Sequence, residues 1–182
     1  MMNRNFEQII DFWFVEITPK DWWIKSIDLD QMIIDRFHEL HKVAFAGELF
    51  AWRKEPLGRL AEIIVLDQFS RHIFRDKPES FISDPMALTL SLVAIDAETD
   101  MGLSSDEMGF LYMPMMHSES LLIHEYAQVF FSQEGCESYA NSAKRHREVI
   151  QRFGRYPHRN GILGRESSLD EIEFLKQPGS SF

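Results

Sequence analysis

Cysteine is nearly missing from the chain: Cys136 stands alone in 182 residues, which excludes an intrachain disulfide and a cysteine-based metal cluster. Its neighbours Glu134 and Glu137 disfavour a thiolate, so Cys136 is not expected to act as a nucleophile. Long apolar runs are missing too. None approaches the roughly 18 to 20 residues that span a bilayer, and Met1 to Asn5 lacks the charged-then-apolar layout of a secretion signal. No membrane partner is expected, and the cytoplasm is the expected compartment. There is no P-loop, no Gly-x-Gly-x-x-Gly and no Gly-x-Ser-x-Gly elbow, so no cofactor is expected and those enzyme classes are unsupported. Positive charge is scarce: 19 Lys and Arg face 29 Asp and Glu, for a formal net charge of -10. Such a body repels nucleic-acid backbones.

What is present argues for one well-buried core. Hydrophobic residues make up 45% of the chain and aromatic residues 13%, with 15 Phe and 4 Trp, and the mean hydropathy of -0.25 is that of an ordinary globular protein. The expected organisation is a single domain over residues 1–182. Strand-like alternation of useful length is absent, and helical spacing occurs almost everywhere. Phe6, Ile9, Ile10, Trp13 and Phe14 form one helix face that Thr18-Pro19 closes. Leu29, Ile33, Phe37, Leu40 and Ala44 form a longer one, with Gly47 as its stop. Leu57 to Phe69 includes the unbroken Ile63-Ile64-Val65-Leu66, a full turn without a polar side, which predicts an enclosed central helix.

Asp84-Pro85 reads as an N-cap followed by proline at the first helical position, opening a helix through about Ala97. Ser104 with Glu107 fits a capping box for the next helix, which Pro114 is expected to interrupt. Leu121 to Phe131 continues helically. Tyr139, Ala143, His146, Ile150 and Phe153 step by 4, 3, 4 and 3, and Gly154 ends that run. Ser168 and Glu171 form a second capping box before a short helix through Leu175. The fold class is therefore all-α, with antiparallel helix pairs and about eight to nine helices. No self-repeat at the roughly 34-residue tetratricopeptide period is visible.

Charge is distributed unevenly. Between Lys144 and Arg165 seven Lys or Arg residues stand against one acid, Glu148, giving this segment +6 and leaving -16 for the rest. Its loop reads Phe153-Gly154-Arg155-Tyr156-Pro157-His158-Arg159-Asn160, and each arginine brings five donors and a permanent charge that needs a partner. Tyr156-Pro157 stiffens the chain, from which Arg155, His158, Arg159 and Asn160 project; Gly161 and Gly164 let it turn before Arg165. Such a loop suits bidentate contact with a phosphate or carboxylate. It suits equally a structural clamp on Asp67, Glu119 or the Phe182 carboxylate.

Asp67, Gln68, Arg71, His72 and Arg75 sit at the end of the central helix, where Asp67 continues the stripe of Leu60 and Ile63 and should be desolvated. Arg71, four residues on, is its natural partner, either as an internal pair or as a ligand-facing one. His117, Ser118 and Glu119 follow Pro114, and His124 and Glu125 come later. The spacing is not that of a metal site, and neither this set nor His38 with His41 is expected to hold one. His146 lies on an apolar stripe and reads as a packed histidine with one satisfied nitrogen.

Taken together, Ile10-Asp11-Phe12-Trp13-Phe14, the Asp67 to Arg75 segment, His117-Ser118-Glu119, Arg145-His146-Arg147 through Asn160, Ile162 through Ser167, and Pro178-Gly179-Ser180-Ser181-Phe182 resemble a bacterial family, the domain of unknown function numbered nine hundred and twenty-four. The likeness runs in order over essentially the whole chain. It implies an all-helical fold similar to tetratricopeptide-like superhelices and no established activity. Where that family usually reads Asp-Gln-Phe-Pro-Arg-Asn, this chain has Ser70 and His72, losing a proline constraint and gaining a titratable ring. Asp67, Gln68, Phe69, Arg71, Phe74 and Arg75 still match.

Two roles follow as expectations. In the first, a cleft between the central helix end and the basic loop binds a small anionic ligand through Asp67, Gln68, Arg71, Arg75, His117, Glu119, Arg147, Arg155, His158, Arg159, Asn160 and Arg165. Any acid-base chemistry there falls to His158 or His117 with Glu119 or Asp67. In the second, a tetratricopeptide-like groove receives a protein or peptide partner on an exposed aromatic patch, with Trp22, Trp23 and Trp52 as its residues. Nucleic acid is a third and weaker option, because only one aromatic accompanies the arginines of the loop.

Overall fold

The computed structural model describes residues 5–180. Among them no strand occurs, and the predicted helices appear in order, joined by one short helix, Glu79–Ile82, that the sequence reading did not anticipate. We number them α1 (Glu7–Asp11), α2 (Ile27–Phe45), α3 (Pro56–Ile64), α4 (Glu79–Ile82), α5 (Asp84–Asp96), α6 (Ser105–Met116), α7 (Leu121–Phe131), α8 (Glu137–Phe153) and α9 (Leu169–Leu175). Sequence neighbours pack on each other: α5 on α6, α6 on α7 and α7 on α8. The α3 segment lies inside, touching α1, α2, α5 and α6, and Ile63, Ile64, Val65 and Leu66 are all buried, as the run without a polar side requires. Phe12, Phe37 and Phe69 meet there with ring centroids 5.0 to 5.9 Å apart, and Trp13 joins Phe69 and Phe110 at 5.6 and 5.5 Å.

The stops are read correctly at Gly47 and Gly154, whose φ angles of 73° and 68° lie where a side chain would be strained. Both capping boxes form: Glu107 accepts from the Ser104 N–H at 2.7 Å, and Glu171 accepts from the Ser168 N–H at 2.7 Å.

Three local expectations are corrected. Pro114 does not interrupt its helix but sits inside α6, which runs two residues further before His117 caps it; near the helix end the lost N–H breaks little. Helix α5 begins at Asp84 itself, with Ser83 before it, and the Asp84 carboxylate serves arginines rather than the helix amides. The central helix, expected from Leu57 to Phe69, does not stop at Phe69. It widens into a π-helical turn over Val65–Phe69 and resumes as an α-helical turn over Ser70–Ile73. Ser70 is buried, donating to the Leu66 carbonyl at 2.5 Å and bonding His41 Nε2 at 2.7 Å. A second π-helical turn, Phe12–Glu16, extends α1.

Candidate functional site

The π turn over Val65–Phe69 places Asp67 where three elements meet, and such turns within helices recur at functional positions. Asp67 is buried, and Gln68 Nε2 donates to its Oδ2. Its Oδ1 takes His117 Nδ1 at 2.8 Å and Arg71 Nη1 at 3.2 Å. Burial works against the charge on Asp67, but Arg71 and His117 more than offset it and hold the carboxyl well below the usual carboxylate range. An ionised Asp67 can only accept, so Nδ1 of His117 carries the proton. Burial and the nearby Arg71 charge push His117 down, which keeps its ring neutral near pH 7 with a lone pair on Nε2.

Arg71 continues outward to Asp84 in a forked contact of 3.0 and 3.1 Å. Asp84 is the residue that sequence reasoning missed. Its position before proline pointed to a helix cap, and nothing local indicated that two arginines from distant segments would claim it. The second is Arg159, whose Nη1 reaches the same Oδ2 at 3.2 Å while Nη2 donates to the His117 carbonyl at 3.0 Å. The Arg159 guanidinium lies over the Phe81 ring at 4.5 Å and the Tyr156 ring at 4.7 Å. Its side chain is 8% exposed, and its Nε has no acceptor among the described residues. Burial and Arg71 both press against its charge.

A second lock lies alongside. Arg165 forks onto Glu119 at 2.7 and 2.9 Å, and Glu119 also accepts from the Tyr156 N–H at 2.7 Å. Arg165 donates further to the Tyr156 carbonyl and the Asn160 side chain, and Asn160 donates to Ser167 Oγ at 3.0 Å. The Tyr156 ring is buried, its hydroxyl donating to the Met116 carbonyl at 2.5 Å. These bonds fasten the basic loop onto the end of α6.

Between the loop, α4, the start of α5 and the end of α6 opens a cleft of about 360 Å³. Asp84, His117, Glu119 and Arg159 form its polar end, and Phe81 and Leu163 belong to its apolar wall. Of the residues read from the sequence, this cleft gathers His117, Glu119 and Arg159, with Asp67, Gln68 and Arg71 directly behind. Asn160 and Arg165 support the loop. The others are placed elsewhere. Arg155 forks onto Glu171 at 2.7 and 2.8 Å, and Arg75 pairs with Asp30, which also takes His72 Nδ1 at 2.7 Å. His158 lies tilted beside Tyr156 with ring centroids 5.5 Å apart, and burial holds it down at about 4. Arg147 sits on α8, half-buried, off the cleft wall. Trp52 is buried against Phe6 and Trp22 is half-buried, leaving Trp23 as the exposed member of the expected aromatic patch. The Phe182 carboxylate lies outside the described residues. Among those residues, no helix is long and apolar enough to cross a membrane.

No curated relative matches the sequence. A solved structure from Agrobacterium tumefaciens, the protein of unknown function ATU0120, is similar over 94% of this chain and 96% of its own, with 34% identity and a TM-score of 0.88. The model of a family described as a bacterial protein of unknown function (DUF924) matches residues 9–179. With a match of that extent and a relative at that identity, the chain belongs to this bacterial family.

Proposed function

We propose that the protein binds a small anionic organic molecule in the cleft between the basic loop, α4, the start of α5 and the end of α6, with Asp67 and Arg71 of the α3 segment behind it. The observation that carries the reading is the under-neutralised guanidinium of Arg159. Arg71 and Arg165 each have a forked carboxylate partner, whereas among the described residues Arg159 has one long carboxylate contact, to an oxygen it shares with Arg71, and a neutral carbonyl, that of His117, for its other terminal nitrogen. Two desolvated cations on one carboxylate oxygen repel each other, and an added anion relieves that repulsion in a medium where charge interactions are strong. The apolar wall, including Phe81, Pro85 and Leu163, favours an anion that carries a hydrocarbon or aromatic body over a bare inorganic ion.

If the bound molecule is also transformed, the group placed for it is His117. Asp67 fixes its Nδ1 proton and leaves Nε2 as a base, an orientation device of the kind that supports general acid-base catalysis. The peptide-groove alternative has less support, because Trp52 is packed inside and cannot contribute an outward face.

Phenyl phosphate and phenylacetate, each against its uncharged benzyl alcohol counterpart, provide the test by thermal shift. The anions should raise the melting temperature of the wild type in a saturable way and the alcohol should not. Arg159→Gln should lose that response while retaining a cooperative melt. Equal responses in wild type and variant, or none to any organic anion tried, would contradict the proposal.

A further inference from the structure

A second cleft, of about 380 Å³, lies apart from the first and is built from different chemistry: Trp22, Trp23, Tyr139, Asp106 and Ser142 line it. We infer that this cleft is a binding site for a small organic cation of the trimethylalkylammonium class. It does not depend on the anion-binding reading above.

The aromatic walls are rings set at steep angles to one another. Trp22 and Trp23 meet at 89° with centroids 6.3 Å apart, and Trp23 meets Tyr139 at 63° and 6.1 Å. Trp23 is the open wall and Trp22 a half-buried one, while Tyr139, 4% exposed, closes the corner behind them; open indole rings beside a carboxylate attract a weakly hydrated cation. Each wall is held independently of any ligand. Trp22 Nε1 donates to the Trp13 carbonyl at 2.9 Å, and the Trp22 ring abuts Phe110 at 4.9 Å and 81°. Trp23 lies nearly parallel to Phe110, at 11° and 6.2 Å, yet is 61% exposed. Tyr139 rests directly on the backbone of α6, where a Cβ at Gly109 would come within 2.4 Å of its ring. Glycine at 109 is thus what lets the ring lie there. The tyrosine hydroxyl donates to Asp106 Oδ1 at 3.1 Å, which orients the carboxylate at the cleft edge.

Charge fixes the sign of the occupant. Aromatic faces and Asp106 both repel an anion and attract a cation, and no Lys or Arg among the described residues pairs with Asp106. The net charge of -10 draws cations toward the molecule as a whole. A quaternary ammonium suits the site better than a primary amine, because it has no strongly held hydration shell to lose and needs no hydrogen-bond acceptors from the rings.

The probe is choline, compared with its neutral tert-butyl isostere at constant ionic strength, and the readout is the indole N–H resonances of Trp22 and Trp23. Choline should shift them saturably, with the isostere weaker by about two- to fivefold, the size of a cation–π contribution at a partly exposed site. Trp23→Leu should weaken choline while leaving the isostere nearly unchanged. Equal affinity for the two probes would reduce the cleft to an apolar surface. Absence of saturation by choline at tens of millimolar in the wild type, a result independent of whether any variant folds, would overturn the inference.

Discussion

Around α3 the chain is held by rings and aliphatic side chains, with Phe12, Phe37, Phe69, Trp13 and Phe110 in mutual contact and fully or nearly fully buried. The segment from Gly154 to Glu171 contributes only Tyr156 to a small apolar cluster with Val149 and Ile150, which Phe153 and Phe174 pack against, and the loop is fastened by arginine forks instead. The contrast is one of range and geometry. Hydrophobic burial is non-directional and tolerates repacking, whereas a fork on Glu119 or Glu171 works only with carboxylate and guanidinium in register. A loop held by directional bonds can position a ligand-facing arginine such as Arg159 closely, but it depends on charges that acid and single substitutions remove.

The largest expected effect separates the two regions outright. Phe69→Ala, deep in the aromatic cluster, should cost about 3 to 5 kcal/mol and lower the global melting transition. Glu119→Gln keeps an acceptor for the Tyr156 amide but removes the Arg165 pair. Both partners are about a quarter exposed (24% and 28%), so the loss should be smaller, about 1 to 2 kcal/mol. It should also be local, read as faster hydrogen exchange at 154–165 with the α3 amides unchanged. Equal, global losses from both substitutions would erase the distinction.

Acid offers an intermediate perturbation. Burial depresses His41 to about 4, His146 to about 3 and His158, with help from Arg159, to about 4, against an ordinary 6.5. Between those values and 6.5 the unfolded chain binds more protons than the folded one. Stability is therefore full above pH 6.5 and falls as pH drops, by up to about 1.4 kcal/mol per pH unit for each imidazole. Glu171, held at about 2 chiefly by its Arg155 hydrogen bond, adds its own loss only as pH falls below about 4.5. Because His146 and His158 both pack against Tyr156 of the basic loop, exchange in the loop should accelerate before exchange in α3 does. A flat melting temperature from pH 7 to 5 would contradict this.

Much of the architecture was legible because local signals agreed with the global packing. The apolar run in α3, the glycine stops and both capping boxes are short-range features that tertiary contacts did not override. Pro114 and Asp84 misled for one reason: each was given a backbone role that its residue type favours, while the structure uses it otherwise. The π turn at Val65–Phe69 has no signature in residue spacing, since widening a helix by one residue leaves composition unchanged. At the site, a run of arginines announced a need for partners but not which carboxylates would meet it. Arg155 and Arg165 are matched by Glu171 and Glu119, whereas Arg159 shares Asp84 with Arg71, a meeting of distant segments that no local spacing encodes.

That position is also the most direct place to test the account. With selectively labelled arginine, Nε–H resonances report each guanidinium separately during a titration with phenyl phosphate. The account predicts a saturable shift at Arg159, a smaller one at Arg71, a perturbed His117 ring and an unmoved Arg155. A response led by Arg155 or Arg165, or no saturable response at Arg159, would contradict it.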